Sequence, residues 1–309
     1  MTTIPVLDWS QRATDPDGFA AALGAACRDP GFFLLAGHPV PADVIDRTFA
    51  QARAFFALPE FEKAPLGILR NPHNRGWAAE GTERLDRDSG AVDRKQAFNV
   101  GLDLAANDPR VLAAEPFRGV NVWPDALPAF RDATLAYYGA AWQLGVAVMR
   151  VIARDLALPD TFFDGHFDAP LATLRLLSYP PATGAQGEIG AGAHTDYGAI
   201  TLLLTDGEPG LQVRPRGEDW TDVPHVPGAF VVNIGDCLMR WSNDTYVSTP
   251  HRVLPPARAR QSIAFFLDPN PDSVIEALPG TGDARYPPVT GADYLRSRLD
   301  ATYEPEPAR

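Results

Sequence analysis

Apolar positions change their spacing about halfway along the chain. The first half mixes compact apolar runs with helical periods. Ile4 to Leu7 is a short apolar run. Asp17 to Asp29 is alanine-rich, with Phe19, Leu23 and Ala26 at helical spacing, and predicts a helix. Gly31 and Gly37 bound an apolar run ending at Ala36, which reads as a buried strand. Pro41 to Leu58 predicts a second helix, with Pro41 near its first turn. Val44, Ile45, Thr48, Phe49, Phe55 and Phe56 lie on its apolar side. Residues 67–95 carry several glycines and many charges without any period, which predicts a long loop. Leu127 to Leu158 is the longest helical stretch, running from Phe130 through Tyr138 and Leu144 to Ile152 and ending before Pro159.

The second half is built differently. Short apolar or alternating runs recur at Thr173–Tyr179, Ile200–Thr205, Leu211–Arg214, Ala229–Ile234, Cys237–Trp241, His251–Leu254 and Ser262–Leu267. Pro-Pro, Gly-Pro and Gly-Asp turns separate them. Short strands at this spacing predict a sandwich or barrel. Asp293 to Thr302 predicts a closing helix, followed by a proline-containing tail. No internal repeat or low-complexity tract interrupts the pattern.

Composition narrows the function class. At 309 residues the chain can bury a sizeable core. Its 45% hydrophobic and 21% charged residues fit a soluble globular protein. The net charge of −12 argues against nucleic acid, since phosphate binding needs a basic surface. Cys27 and Cys237 form neither a disulfide framework nor a zinc pattern and read as small buried hydrophobes. The N-terminus lacks a basic segment followed by a long apolar stretch, and no run approaches a membrane span. A cytoplasmic location without membrane association is expected. The sequon at Asn243 is therefore a chance match. Nothing in the pattern specifies an oligomeric state.

The candidate chemistry lies in the strand-rich half. In a strand, residues i and i+2 share a face, so His194 and Asp196 can converge on one ion. His251 would then come from a strand opposite. His-x-Asp is a weak signal alone, but Gly190, Gly192 and Gly198 bracket it and an apolar strand follows. Two histidines and one carboxylate leave three coordination positions open, the donor set of non-haem Fe(II) oxygenases. Structural zinc would want four ligands, usually with cysteine. His38, His73, His166 and His225 lie in turns, a loop or at a helix end, and read as surface or capping residues.

Arg260 and Ser262 also share a strand face. A guanidinium fork fits a carboxylate, and a nearby hydroxyl can donate to the same group. The phenol of Tyr179 could reach that carboxylate or a metal-bound water, or simply pack at a strand end. Arg252, Arg258 and Ser248 read as surface charge and strand-edge polarity. Arg70, His73, Arg75 and Trp77 make the 67–95 loop a candidate lid, with an exposed basic loop as the alternative.

Together these residues resemble a known family. RLLSYPP from Arg175, AHTDY from Ala193, Gly210-Leu-Gln212, Val232-Asn-Ile-Gly-Asp236, His251-Arg-Val253 and Arg260-Gln-Ser262 are similar to motifs of Fe(II)/2-oxoglutarate dioxygenases of the isopenicillin N synthase-like group. So are Ile4-Pro-Val-Leu-Asp8, Gly31-Phe-Phe33, Gly37-His38 and KQAFNVG from Lys95. The resemblance spans roughly residues 3–300. It implies a mostly β fold with flanking helices (α+β) around a double-stranded β-helix, or jelly-roll, core. An N-terminal region (1–120) would pack on a jelly-roll domain (121–309, core about 170–270) as one compact unit. His194, Asp196 and His251 would hold Fe(II). Arg260 and Ser262 would bind the distal carboxylate of 2-oxoglutarate, assisted by Tyr179. Plant members often have Asn-Tyr-Tyr where this chain has Leu177-Ser178-Tyr179, so only Tyr179 carries over. Arg175 and Phe266 match substrate-pocket positions, and Arg75 joins them from the loop. Arg175 could pair with a substrate carboxylate or sit in a structural ion pair.

The activity so implied is oxidation of a small molecule by O₂ with 2-oxoglutarate as co-substrate, releasing succinate and CO₂. The product would be hydroxylated, desaturated or cyclised. A close alternative is an oxidase of the isopenicillin N synthase type, which uses Fe(II) and O₂ without 2-oxoglutarate. Another is a non-catalytic small-molecule receptor on the same barrel, which would have no need of three open iron positions.

Overall fold

The computed structural model describes residues 3–83, 85 and 93–303. The strands of its two larger sheets in chain order are β1 (Val6–Asp8), β2 (Phe32–Ala36), β3 (Gly76–Ala78), β4 (Gln96–Gly101), β5 (Thr173–Tyr179), β6 (Ala191–His194), β7 (Ile200–Thr205), β8 (Leu211–Val213), β9 (Thr221–Asp222), β10 (Phe230–Ile234), β11 (His251–Val253) and β12 (Arg260–Leu267). The helices are α1 (Pro16–Arg28), α2 (Ala42–Ala57), α3 (Glu60–Lys63), α4 (Pro109–Leu112), α5 (Phe130–Asp155), α6 (Asp236–Trp241) and α7 (Gly291–Tyr303). Eight strands form one sheet in the order β1-β2-β10-β7-β12-β5-β4-β3, and β6-β11-β8-β9 form a second. All pairs are antiparallel except β1 with β2. The two sheets are the layers of the jelly roll, a mostly β core with helices on its flank.

Side-chain alternation divides the core in two. One face of the large sheet packs on α1, α2 and α5 through Phe33, Leu35, Leu174, Leu176, Leu202, Ile263, Phe265 and Leu267. The other meets the small sheet through Phe32, Leu34, Leu177, Tyr179, Val231 and Ala264, opposite Ala191, Val213 and Val253. Each fully buried Leu or Phe contributes roughly 1.5–3 kcal/mol over its exposed state. The helices follow local rules. Asp15 caps α1 by accepting from the Gly18 amide at 2.9 Å, and Pro16 occupies its first turn. Both cysteines are free and buried.

Two segments depart from the pattern. Cys237–Trp241 is helical, not extended, because its apolar residues sit at helical spacing: Cys237, Leu238 and Trp241 are the buried side. Four apolar residues in a run of five, interrupted by Arg240, fit either period, and helix against strand is undecided at that length. Within 67–95, Gly76–Ala78 forms an edge strand against β4, and Trp77 is buried with its indole N–H donating to Gln96. Trp77 is thus core rather than lid. Residues 84 and 86–92 of the expected lid lie outside the described residues. The sequon's Asn243 is buried, and its amide donates to the carbonyls of Thr281 and Asp283.

Candidate active site

The three expected metal ligands meet between the sheets. His194 ends β6 and Asp196 follows in the turn, so the strand delivers only the first. His251 opens β11, and it pairs directly with His194. The second imidazole therefore comes from the neighbouring strand, not from the opposite side. Pairing residues across antiparallel strands brings their side chains together, and the ring centroids stand 4.3 Å apart. One ligand atom from each of the three residues lies within 4.8 Å of the other two. His194 and His251 Nε2 are 3.8 and 3.5 Å from Asp196 Oδ1. Neighbouring ligands at about 2.1 Å from one ion stand about 3 Å apart, so a small contraction closes the set on a metal.

The surroundings orient every donor. His194 Nδ1 lies 2.7 Å from the Gly192 carbonyl and His251 Nδ1 3.3 Å from that of Thr249. Each ring thus turns Nε2 inward, the arrangement expected around a metal-binding imidazole. Asp196 Oδ2 accepts from Thr201 Oγ1 at 2.5 Å and Asn233 Nδ2 at 2.8 Å, which leaves Oδ1 for the ion. Burial, then the adjacent His251, push the His194 imidazole down to about 4. Burial opposes charge on Asp196 too, yet His251, His194 and the Thr201 hydroxyl hold its carboxyl below the usual range. Burial disfavours protonated His251, but the Asp196 carboxylate outweighs it and raises the ring. A carboxylate and two inward nitrogens are a donor set suited to Fe(II).

Tight backbone packing fixes the turn. A Cβ on Gly235 would fall 2.2 Å from the Gly198 carbonyl oxygen. That approach lets the Asp236 amide donate to the Asp196 carbonyl at 2.7 Å and the Asp236 side chain accept from Thr195 Oγ1 at 3.0 Å. Arg298 on α7 joins the same carboxylate at 2.5 Å.

The triad opens into a cavity with about 1340 Å³ of atom-free space, its mouth included. Arg260, Ser262, Ala264 and Phe266 line it from β12, and Thr173, Arg175, Leu177 and Tyr179 from β5. Arg260 is only 1% exposed. Its Nε donates to the Glu208 carbonyl at 3.2 Å, its Nη1 lies 3.4 Å from Ser262 Oγ, and it stacks over Tyr179, its partner across the strands. Among the described residues, no carboxylate pairs with it. The neighbouring arginines differ: Arg258 pairs with Glu208, and Arg252 binds Gln212 and covers Trp220.

The expected substrate residues also line this cavity. Arg175 forms a structural ion pair with Glu83, which stands 3.6 Å from Lys95; Lys95 in turn bonds Asp93 at 2.5 Å. Arg75 is buried and donates to the carbonyls of His73, Asn74 and Phe117. Burial pushes its guanidinium down to about 10. His73 is absent from the lining, whereas Asn74 is present. Sequence reasoning missed Thr201, Asn233, Asp268, and Leu295 and Leu299 of α7. Asn233 lies inside a motif already singled out. The helix residues carried no signal, because only the tertiary fold brings α7 over the cavity.

A two-histidine, one-carboxylate face between the sheets of a jelly roll defines a non-haem iron oxygenase. Residues 4–126 match the model of the N-terminal region of non-haem dioxygenases described from morphine synthesis, and residues 160–269 match the 2OG-Fe(II) oxygenase superfamily. The chain belongs to the 2-oxoglutarate- and Fe(II)-dependent oxygenases. It is 37% identical to the 2-oxoglutarate-Fe(II) type oxidoreductase hxnY of Emericella nidulans, over 98% of this chain and 91% of the relative. A 2-oxoglutarate-dependent dioxygenase of Didymella fabae is also 37% identical, over 97% and 96%. A full-length Neurospora crassa protein crystallised with α-ketoglutarate and thymine superposes with a TM-score of 0.86 at 33% identity, covering 96% of each chain. The cofactors of the present chain are therefore Fe(II), 2-oxoglutarate and O₂.

Proposed function

We propose that His194, Asp196 and His251 hold the iron and that Arg260, Ser262 and Tyr179 hold the distal carboxylate of 2-oxoglutarate. The chain acts as an oxygenase that hydroxylates, desaturates or cyclises a small organic molecule. One observation carries the co-substrate assignment: Arg260 is a buried guanidinium facing the triad's cavity, and no carboxylate among the described residues pairs with it. Such a charge is costly until an anion joins it. Bound iron supplies the activation of O₂, coupled to decarboxylation of 2-oxoglutarate to succinate and CO₂. The chain's own residues do the rest. Thr201 and Asn233 aim the Asp196 carboxylate. Arg260 fixes the far end of the co-substrate, with Ser262 donating beside it. Phe266, Arg175 and Arg75 form walls of the substrate space.

The N-terminal region and the jelly-roll region work as one unit in this reading, since β1–β4 complete the same sheet as β5, β7, β10 and β12. No helix among the described residues is long and apolar enough to cross a membrane. A cytoplasmic site of action remains the reading from composition.

The test is turnover of labelled 2-oxoglutarate with Fe(II). The wild-type protein should release labelled CO₂, and His194→Ala and Asp196→Ala should abolish release while remaining folded. Undiminished release by both variants would sink the triad. Substrate oxidation that continues without 2-oxoglutarate would move the protein to the oxidase branch.

A further inference from the structure

Alternation along β12 brings one more charged residue to the cavity. Asp268 follows the strand's last residue and continues the parity of Arg260, Ser262, Ala264 and Phe266. Its carboxyl group lines the cavity beside Gly198: a Cβ there would lie 3.0 Å from Asp268 Oδ1. The residue is only 6% exposed. Other buried acids in this half of the molecule are satisfied. Asp196 has Thr201 and Asn233, and Asp236 has Thr195 and Arg298. Asp93 has Lys95 and the Gly192 amide. Among the described residues, Asp268 accepts no hydrogen bond and pairs with no cation.

A buried carboxyl group without a protein partner is expensive, and its cost is relieved by a donor from outside. The nearest free volume is the substrate space. The cavity also separates its polar groups by function. Arg260 serves the co-substrate in the reading above, and Arg175 is already paired with Glu83. Asp268 is left as an acceptor on the triad's side of the cavity, next to Tyr197 and Gly198. Burial, reinforced by Asp196, raises its carboxyl to about 7. A ligand cation would draw it into the ionised form.

We propose that Asp268 is a specificity-determining residue that accepts a hydrogen bond from an N–H group of the substrate, so that the enzyme acts on nitrogenous small molecules. The shared chemistry is the N–H donor, which a protonated amine or a neutral lactam can supply. The inference rests on the oxygenase reading of the same cavity, and it concerns the substrate end alone.

The test uses wild-type protein, Asp268→Asn and Asp268→Leu, with matched probes. Piperidine is compared with tetrahydropyran, and 2-piperidone with N-methyl-2-piperidone. Cyclohexanecarboxylate is the anionic control. Two readouts are taken: saturation-transfer NMR on metal-free protein, and stimulation of 2-oxoglutarate decarboxylation by Fe(II)-loaded protein. Substrate-free decarboxylation by the wild type reports the iron and 2-oxoglutarate sites; its absence would sink the reading beneath, while probe binding to the metal-free protein still tests this proposal. The wild type should bind the N–H member of at least one pair about tenfold more tightly than its partner, the scale of a hydrogen bond to a charged group. Asp268→Leu should lose that preference. If the amine is the favoured probe, Asp268→Asn should lose it too; if the lactam is, Asp268→Asn should keep most of it. Melting curves confirm that both variants fold, and Asp268→Asn preserves shape if Asp268→Leu does not. The proposal is overturned if the wild type binds no N–H probe, prefers the carboxylate, or keeps its preference in the folded variants.

Discussion

The two faces of β12 are equally hidden from water and chemically opposite. Ile263, Phe265 and Leu267 point toward the helices and are fully buried among apolar side chains. Arg260, Ser262 and Asp268 point toward the small sheet and are 1%, 1% and 6% exposed. Burial alone therefore does not distinguish scaffold from site. On the helix face these side chains are apolar and need no polar partner, so their burial converts directly into stability. On the cavity face, among the described residues, a cation lacks an anion and a carboxyl lacks a donor. In the proposed reading that face is complete only with ligands present, so its residues should cost the empty protein stability.

Substitutions on the two faces should separate these roles. Phe265→Ala removes a ring packed edge-on to Tyr138, with centroids 5.1 Å apart. It should lower the unfolding free energy by about 3–5 kcal/mol, measured by urea titration. Turnover per folded molecule should stay near wild type, and a large loss would show that the helix face shapes the site. Arg260→Met is the counterpart. Replacing a buried charge by an apolar chain of similar length should leave unfolding unchanged or strengthen it. The 2-oxoglutarate requirement should rise about 30-fold or more. A variant that unfolds easily yet keeps its co-substrate affinity would reverse the comparison at this position.

How far the sequence disclosed this contrast depends on the kind of signal. Compact apolar runs at Thr173–Tyr179 and Ile200–Thr205 mark strands because each has one face against the helices and the other toward the small sheet. The metal residues were legible from chemistry that is rare in combination, and Arg260 and Ser262 from their shared face. Which strand neighbours which was not legible. His251 sits beside His194 because of a pairing across nearly sixty residues, and no local pattern records that. Cys237–Trp241 misled because four apolar residues within a five-residue run satisfy both periods. Arg75 and Arg175 were legible as pocket residues, but not their distant partners, the Phe117 carbonyl and Glu83. Asp268 carried no signal of its own: it stands just past a strand and before a proline.

Support of the triad provides a smaller test. Thr201 belongs to β7 and reaches Asp196 from the large sheet, so it couples the sheet to the ligand turn. Thr201→Val keeps the β-branched shape and removes the hydroxyl. It should weaken metal binding about 10- to 100-fold, read by competition with a chelator. The melting point of the metal-free protein should move little by comparison. A metal affinity equal to wild type would mean that Asn233 alone orients Asp196.

The subtlest consequence is a pH dependence on the cavity face that the helix face cannot produce. Asp268 is raised from 3.8 to about 7, by burial first and then by Asp196. Between those values the folded protein keeps a proton that the unfolded chain has released. Raising the pH through that window therefore favours unfolding. The contribution is full at and below the unfolded value and is lost as pH rises through about 7. The slope from one such group is at most about 1.4 kcal/mol per pH unit. Asp268→Asn removes the titration and keeps the shape. Urea midpoints of metal-free wild type and variant, compared from acid to neutral pH, should show the wild type losing ground steadily. A constant difference would mean that Asp268 is ionised throughout, and that the cavity face tolerates its charge without help from a proton.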